Sequence, residues 1–242
     1  MKIGPLFKWF GSKWQAAKHY PSPGQFIVEP FAGGAGYSLN YCDRSVCLWD
    51  TDPNIAALWK WLICEAKEGD VRNIPLIPPG VDIRKLGLSN GQALLVKHWQ
   101  RTNNVGDCWT VSPWGNKPGQ WTANTRARVA EEIHAIKHWC FIDPIPWLVD
   151  APGLTWFIDP PYQYNYRYSP KLLPLRHDLL GELVRLIPIT STVIACEAIG
   201  KKGEVPNYLP FASSHESVTS RRKADQSHHS KELVYVRMGH GL

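Results

Sequence analysis

The stretch Gln25-Phe-Ile-Val-Glu-Pro-Phe-Ala-Gly-Gly-Ala-Gly36 joins an apolar run to a glycine-rich segment. The apolar run predicts a buried strand, and the glycines allow a sharp turn and the close approach of a ligand to the backbone. Tyr37-Ser-Leu-Asn40 follows and predicts the start of a helix. A strand, a glycine segment and a helix in this order are typical of the first unit of a nucleotide-binding α/β sheet. Residues 32–36 are called the glycine loop below.

A second apolar run, Val46-Cys-Leu-Trp-Asp50, ends in an acid. In nucleotide-like sites, an acid about 20 residues beyond the glycines accepts hydrogen bonds from ribose hydroxyls, which makes Asp50 a candidate ligand. The glycine loop lacks the lysine and hydroxyl of a phosphate-binding loop, and its glycine spacing differs from that of dinucleotide sites. Glu29 would also repel a pyrophosphate. The cationic sulfonium and ammonium groups of S-adenosylmethionine tolerate such carboxylates, so this cofactor is favoured.

The segment Thr155-Trp-Phe-Ile-Asp-Pro-Pro-Tyr162 places a carboxylate, two prolines and an aromatic ring after an apolar strand. Asp159 and the Pro160 carbonyl can accept the two hydrogens of an amino group, while Pro160 and Pro161 hold φ at about −65° and donate no hydrogen bonds. Tyr162 offers a face for stacking on a base. Acceptors preorganised toward developing charge favour methylation of an exocyclic amino group. A strand that ends in a Pro-Pro turn without function is the alternative.

Four segments resemble successive motifs of the Dam-type, α-ordered DNA adenine-N6 methyltransferases, and they occur in the family's order. They are Phe7-Lys-Trp-Phe-Gly-Ser-Lys13, Val28–Gly36, Trp49–Asp52 and Asp159–Tyr162. The resemblance covers residues 5–60 and 138–237. It implies an α/β fold with a Rossmann-like, S-adenosylmethionine-dependent methyltransferase sheet. It also implies methyl transfer to the N6 amino group of an adenine that is flipped out of DNA.

The resemblance places particular residues in the site. Asp159, Pro160, Pro161 and Tyr162 hold the base, and no metal is expected. Asp143 ends a strand similar to one that lies near the cofactor adenine in the family. Together with Asp143, the expected cofactor contacts are Trp9, Lys13, Glu29, Phe31, Gly33, Gly34, Gly36 and Asp50.

Residues 66–135 match the family poorly, and we interpret them as a target-recognition insert. The catalytic domain then comprises residues 1–65 and 136–242. The insert is rich in cations, amides and indoles, which are the groups that contact base edges and phosphates. Alternatively, the tryptophans hold together a module that lacks a large core. The candidates for nucleic-acid binding in this segment are Lys97, Arg101, Asn103, Trp114, Asn116 and Lys117.

Two further elements are expected to contact DNA. Residues 125–138 predict a helix with one apolar face. Its Arg126 and Arg128 are expected to be free to meet phosphate. Residues 215–220 and 232–237 predict a C-terminal antiparallel hairpin. The basic loop between its strands, with Arg221, Arg222 and Lys223, is expected to grip the DNA backbone.

Composition agrees with a DNA partner. The chain has 242 residues and a net charge of +6, which suits a polyanion such as double-stranded DNA. Its 6 cysteines are scattered without a Cys-x-x-Cys pair, so we expect reduced thiols in a cytosolic protein. The family resemblance implies the cytoplasm of a prokaryotic or phage-infected cell. The sequence has no long apolar stretch, so we expect no contact with a membrane. We expect a monomer. The sequence leaves open whether the protein acts alone, accompanies a cognate restriction endonuclease or belongs to a phage.

Other functions are compatible with parts of the pattern. Cytosine-N4 or RNA adenine methylation could use the same pair of acceptors, and a catalytically inactive DNA-binding relative would keep the fold. A dehydrogenase is disfavoured by the glycine spacing. The recognition sequence cannot be carried over from the family, because Gln100-Arg-Thr-Asn103 and Gly119-Gln-Trp-Thr-Ala-Asn124 differ from its usual insert.

Overall fold

The structure is a computed structural model. It describes residues 1–100, 108–113, 115, 117–143, 153–163, 177–199, 206–210, 213–217 and 230–239, with the backbone alone for 213–217, 230 and 231. Seven residues predicted to bind nucleic acid lie outside this part of the chain, namely Arg101, Asn103, Trp114, Asn116, Arg221, Arg222 and Lys223. The chain divides into two compact units. The first contains Met1–Ala17 and Ala32–Asp143, and the second contains Lys18–Phe31 and Pro144–Leu242.

In the described chain, two strands precede a run of four α-helices, and five strands with one further α-helix follow. The strands are β1 (Phe26–Glu29), β2 (Ser45–Leu48), β3 (Cys140–Phe141), β4 (Leu154–Ile158), β5 (Thr192–Ala198), β6 (Ser213–Ser217) and β7 (Ser230–Arg237). The α-helices are α1 (Pro53–Lys60), α2 (Glu68–Arg72), α3 (Asn90–Trp99), α4 (Ala123–Glu132) and α5 (His177–Leu186). A π-helical turn at Trp61–Glu65 follows α1, and short 3-10 helices lie at Ala17–His19, Ser38–Tyr41, Ile83–Lys85 and Ile133–Ile136.

The first unit contains β2 and β3, which pair in parallel, with Cys47 opposite Cys140. Helix α1 follows β2, and its start is stabilised because the Asp52 side chain accepts a hydrogen bond from the Asn54 amide and Pro53 occupies the first turn. An apolar stripe at helical spacing is buried in this region. It consists of Ile55, Leu58, Trp59, Leu62 and Ile63.

Residues 66–135 belong to the same unit as the glycine loop. Two buried tryptophans tie this segment together and to the start of the chain. Trp99 Nε1 donates to the Leu6 carbonyl at 2.8 Å, and Trp121 Nε1 donates to the Pro75 carbonyl at 3.1 Å. The interpretation that tryptophans hold this module together agrees with the contact of Trp121, whereas Trp99 joins the module to the start of the chain. Its role in target recognition stays a prediction.

The second unit contains a mixed sheet in the order β1, β4, β5, β7, β6. Strands β1, β4 and β5 are parallel, whereas β7 runs antiparallel to both of its neighbours. All five residues of β4 are buried, as expected of a strand inside a parallel sheet. The antiparallel pairing of β6 with β7 confirms the predicted C-terminal hairpin strands, although β6 begins and ends earlier than expected.

The chain is therefore an α/β protein with a mixed, mostly parallel arrangement of strands, which is compatible with a Rossmann-like fold. Among the described residues, no helix combines the length and the apolar character needed to cross a bilayer.

Candidate functional site

The glycine loop in the first unit is held by two side chains that bind its backbone groups. The Gly33 amide donates to Asp50 Oδ2 at 2.8 Å, and the Gly33 carbonyl accepts the buried indole N–H of Trp59 at 2.8 Å. Gly33 has φ of 45°, in the left-handed region that glycine adopts without strain, and Ala35 shares this φ. The loop thus holds one shape through partners that follow it in the sequence.

The glycines of the loop make room for the N-terminal segment of the same unit. A Cβ at Gly36 would lie 2.5 Å from the Trp14 backbone nitrogen and 2.7 Å from that of Lys13, and a Cβ at Gly33 would collide with the Trp9 indole. A Cβ at Gly34 would lie 3.0 Å from Trp9 Cβ. The sequence interpretation assigned this space to a ligand. In the structure, the chain itself approaches these three glycines.

Two predicted cofactor residues therefore lie in the segment that packs on the glycine loop. Trp9 is half-buried against Gly33, and Lys13 is buried with its ammonium group donating to the Gly11 carbonyl at 3.0 Å. The structure brings Trp9, Lys13, the three glycines and Asp50 together within one unit. The sequence predicted this grouping.

Asp50 is half-buried, and both of its oxygens accept backbone hydrogen bonds. Oδ2 accepts from Gly33, and Oδ1 accepts from the Asp52 amide at 2.8 Å. Burial of the carboxyl group raises the pKa of Asp50 to about 6. A carboxylate has about four acceptor positions, so it can also accept from donors such as ribose hydroxyls.

The other predicted cofactor residues have different surroundings. Asp143 is exposed, and its Oδ1 accepts the Trp49 indole N–H at 3.1 Å, within the first unit. Glu29 and Phe31 belong to the second unit, where Glu29 is buried at the carboxyl end of β1 and Phe31 is half-buried.

The second unit carries the segment Asp159–Gln163, which we call the Asp-Pro-Pro-Tyr turn. It follows the buried strand β4, whose last residue, Ile158, pairs with Ala195 of β5. Asp159 is half-buried and Pro160 is buried. Because β1 and β4 are parallel, Glu29 and Asp159 both lie at the carboxyl edge of these strands, where ligands bind in open α/β sheets.

Two buried carboxylates hold the end of this turn. The Tyr162 hydroxyl donates to Glu232 Oε1 at 3.0 Å, and the Tyr20 hydroxyl donates to Glu232 Oε2 at 2.6 Å. The Gln163 amide lies 3.3 Å from each carboxylate oxygen of Glu197. Both the aromatic ring and the main chain of the turn are thus hydrogen-bonded to acids from other strands.

Glu197 is fully buried and close to further polar groups. Its carboxylate also accepts the Tyr208 hydroxyl at 2.9 Å and the Ala198 amide at 3.0 Å. Burial, together with the charge of Asp159, raises the pKa of Glu197 to about 7. Burial also raises the pKa of Tyr208 above its ordinary value. Ionisation at this site is therefore costly.

Asp159, Cys196 and Glu232 offer ligand atoms within 4.8 Å of one another. In this arrangement both Glu232 oxygens accept phenolic hydrogens, so the carboxylate serves as an anchor for Tyr20 and Tyr162.

A histidine and a cavity flank the same turn. His177 Nε2 lies 2.9 Å from the Pro161 carbonyl, and its ring packs against that of Tyr208 at a centroid distance of 5.3 Å. A cavity of about 500 Å³ borders His177, Gln163 and Tyr208. This volume lies in the range of small-molecule sites.

Three of the described nucleic-acid candidates differ from expectation. Lys97 is buried, with its ammonium 4.2 Å from the centre of the Trp109 ring, so it is not exposed to a phosphate. Arg126 donates to the Ile74 carbonyl at 2.7 Å, so the expectation of a free guanidinium was wrong.

Arg128 is also engaged. It donates to the Pro5 carbonyl at 2.7 Å and forms an ion pair with Glu132. The N-terminal segment supplies this partner, which a helical pattern alone cannot reveal. Lys117 is exposed, as its predicted role requires. Contacts of these residues with DNA stay predictions.

The sequence interpretation missed the residues that support the Asp-Pro-Pro-Tyr turn, namely Tyr20, His177, Glu197, Tyr208 and Glu232. One signal was available for Glu197, because it is an acid at the end of an apolar strand, as Asp50 and Asp159 are. The sequence offered no comparable signal for the pairing of Glu232 with Tyr162.

Among known proteins, no protein-family model matches this chain, and no curated protein matches it.

Proposed function

We propose that this protein transfers a methyl group from S-adenosylmethionine to the N6 amino group of an adenine flipped out of double-stranded DNA. The observation that carries the proposal is the Asp-Pro-Pro-Tyr turn at the end of a buried parallel strand, with its Tyr162 ring and Gln163 amide held by buried carboxylates. A turn without function would not require ionisable groups in these positions.

The acceptors suit the chemistry of an aromatic amine. The lone pair of the adenine amino group is delocalised into the ring, so an enzyme must orient the nitrogen and stabilise the charge it develops. The half-buried Asp159 carboxylate and the Pro160 carbonyl accept its two hydrogens, and Tyr162 stacks on the base. Preorganised acceptors supply much of the catalysis without a strong base, and the proton then leaves to Asp159 or water.

The glycine loop suits S-adenosylmethionine, which supplies the methyl group when bound. Asp50 can accept hydrogen bonds from the ribose hydroxyls, and no lysine of the phosphate-binding type lies in the loop. The carboxylates of Asp50 and Glu29 favour a cationic ligand over a polyphosphate. In this proposal, Trp9, Lys13, Phe31, Asp143 and the three glycines complete the cofactor contacts.

A DNA substrate agrees with the net charge of +6 and with the exposed Lys117. Extrusion of the target base costs a few kcal/mol, which contacts with DNA must offset. Residues 66–135 serve as the target-recognition module in this proposal. The enzyme acts as a monomer in the cytoplasm of a prokaryotic or phage-infected cell. Whether it accompanies a cognate restriction endonuclease stays open.

The test is transfer of a radiolabelled methyl group to duplex DNA, followed by nucleoside analysis. We expect N6-methyldeoxyadenosine with the wild-type protein and none with Asp159→Ala. Label in N4-methylcytosine or in RNA would support the corresponding alternatives. DNA binding without any label, and unchanged by Asp159→Ala, would indicate an inactive relative, and binding of a nicotinamide cofactor would indicate a dehydrogenase.

A further inference from the structure

The Asp-Pro-Pro-Tyr turn has few backbone donors of its own. Pro160 and Pro161 carry no N–H, so after Asp159 the first amides that can fix the chain are those of Tyr162 and Gln163. The Gln163 amide is the donor that meets Glu197. The Tyr162 side chain of the turn donates a hydrogen bond from its hydroxyl to Glu232.

We propose that Glu232 and Glu197 are positioning residues for the amino-group site, Glu232 fixing the Tyr162 ring through its hydroxyl and Glu197 fixing the main chain at Gln163. The catalytic consequence rests on the proposed function. The holding of the turn itself does not depend on it.

Glu232 is well suited to restrain an aromatic ring. Its backbone is paired with Ala198 in the sheet, and its side chain is 4% exposed. The Tyr20 hydroxyl occupies one carboxylate oxygen at 2.6 Å, which leaves the other oriented toward Tyr162 at 3.0 Å. Hydrogen bonds to a carboxylate are stronger than neutral ones, so the Tyr162 ring loses freedom before any base arrives.

Glu197 restrains the exit of the turn. Both of its oxygens lie 3.3 Å from the Gln163 amide, and the Tyr208 hydroxyl and Ala198 amide hold the carboxylate in place. Because the two prolines restrict φ upstream, a fixed exit limits the positions open to the Pro160 carbonyl. A misplacement of about 1 Å can cost about a hundredfold in rate, so such a restraint affects catalysis directly.

A purely structural role explains these acids poorly. Glu197 is buried, and the charge of the nearby Asp159 contributes to its raised pKa. Replacing buried ionic groups with apolar residues of similar size is often neutral or stabilising. Stability alone therefore does not account for buried acids at these two positions.

The first measurement follows the ring itself. We would incorporate 3-fluorotyrosine at position 162 and record its fluorine resonance in the protein with Glu232→Gln or Tyr235→Phe. Glu232→Gln should shift and broaden the resonance, because a neutral amide is a weaker acceptor than a carboxylate. The matched control, Tyr235→Phe, removes a hydroxyl on the same strand that donates to neither acid within the described part of the chain, and it should leave the resonance near its wild-type position.

The second measurement is the single-turnover rate of methyl transfer. Tyr162→Phe keeps the stacking face and removes only the anchored hydroxyl, and we expect it and Glu232→Gln each to lower the rate about tenfold with the affinity for S-adenosylmethionine unchanged. The double variant should be no slower than the slower single variant, because both changes break one interaction. Glu197→Gln should also lower the rate about tenfold, while the control Tyr235→Phe should change it less than threefold.

These two measurements separate the inference from the proposed function. An unchanged fluorine resonance in Glu232→Gln, or additive rate losses in the double variant, would overturn the role of Glu232, and a wild-type rate in Glu197→Gln would overturn that of Glu197. If the resonance responds as expected but the wild-type protein methylates no nucleic acid, the proposed function fails and the holding of Tyr162 stands.

Discussion

The glycine loop and the Asp-Pro-Pro-Tyr turn both follow buried strands, yet they are held in different ways. Gly33 finds its partners in Asp50 and Trp59, which lie 17 and 26 residues further along the chain. The turn depends on Glu197, 34 residues beyond Gln163, and on Glu232, 70 residues beyond Tyr162. Both regions are held by side chains, but those that hold the loop follow it more closely in the sequence, whereas those that hold the turn come from more distant strands.

This difference separates two kinds of evidence for a site. The glycines of the loop are explained by the approach of the chain's own N-terminal segment, so they would be needed even without a ligand. Buried acids such as those behind the turn often add no stability over apolar residues, so they indicate a function more directly. Four experiments can test this contrast between the loop and the turn.

The largest effect is expected at the turn. Asp159→Ala removes an acceptor for the amino group, and loss of one such preorganised group typically costs about 10²–10³ in kcat. We expect single-turnover methyl transfer to fall by at least this factor, with calorimetric affinity for S-adenosylmethionine nearly unchanged. In contrast, Asp50→Ala should weaken that affinity. An equal loss of affinity in both variants would remove the distinction between the two regions.

The second experiment concerns stability and pH. Because the pKa of Glu197 is raised to about 7 in the folded protein, folding favours its protonated form. This contribution is present below the ordinary pKa of the group, and it is lost as the pH rises through about 7. The free energy of unfolding should therefore fall between about pH 4.5 and pH 7, by about 3 kcal/mol.

Glu197→Gln should remove this part of the pH dependence, as measured by urea unfolding across the window. Asp50→Asn is the comparison, because Asp50 titrates in the same direction with a pKa of about 6. It should leave the decrease between pH 6 and pH 7 in place. Parallel stability curves for the wild-type protein and Glu197→Gln would show that the carboxylate of Glu197 ionises without cost.

The third experiment tests the close approach at the glycine loop. Gly36→Ala places a methyl group 2.5 Å from the Trp14 backbone nitrogen, where no flexible side chain can move aside. We expect a loss of about 1–3 kcal/mol in the free energy of unfolding. Gly69→Ala is the matched control, since a Cβ there meets nothing within 4 Å, and it should be neutral or stabilising in helix α2. Equal effects at the two positions would contradict the tight packing of the N-terminal segment.

The smallest effect concerns cofactor affinity. In the proposed function, ribose hydroxyls donate to the ionised form of Asp50, so the affinity for S-adenosylmethionine should rise as the pH increases through about 6. Below that pH, the dissociation constant should change about tenfold per pH unit. Calorimetry on the wild-type protein and on Asp50→Asn would show the dependence and its loss. A flat profile for the wild-type protein would exclude Asp50 as the hydroxyl acceptor.

Much of the fold could be predicted because the signals are local. Apolar runs predicted β1, β2 and β4. The last two strands followed from their apolar and alternating patterns. Each of these predictions needs only neighbouring residues, since strand and helix periods are read within a short window.

The errors arose where a distant segment supplies a partner. Lys97 and Arg126 have the composition expected of a DNA surface, but Trp109 covers the first and the Ile74 carbonyl binds the second. Arg128 is bound by the Pro5 carbonyl, 123 residues earlier in the chain. Pairings over such separations leave no periodic signal in the sequence. For the same reason, the sequence did not predict the hydrogen bonds of Tyr162 with Glu232 and of Gln163 with Glu197.

The two anchoring acids have a consequence for how relatives of this chain can be recognised. A tetrapeptide is too short to be distinctive. The sequence of a glycine loop can also change when the N-terminal segment that packs on it changes at the same time. We expect a searchable signature to extend from Asp-Pro-Pro-Tyr to an acid at the exit of the next parallel strand and a second acid within the last antiparallel strand. Divergent genes that retain this three-part spacing would be the first to sequence and express.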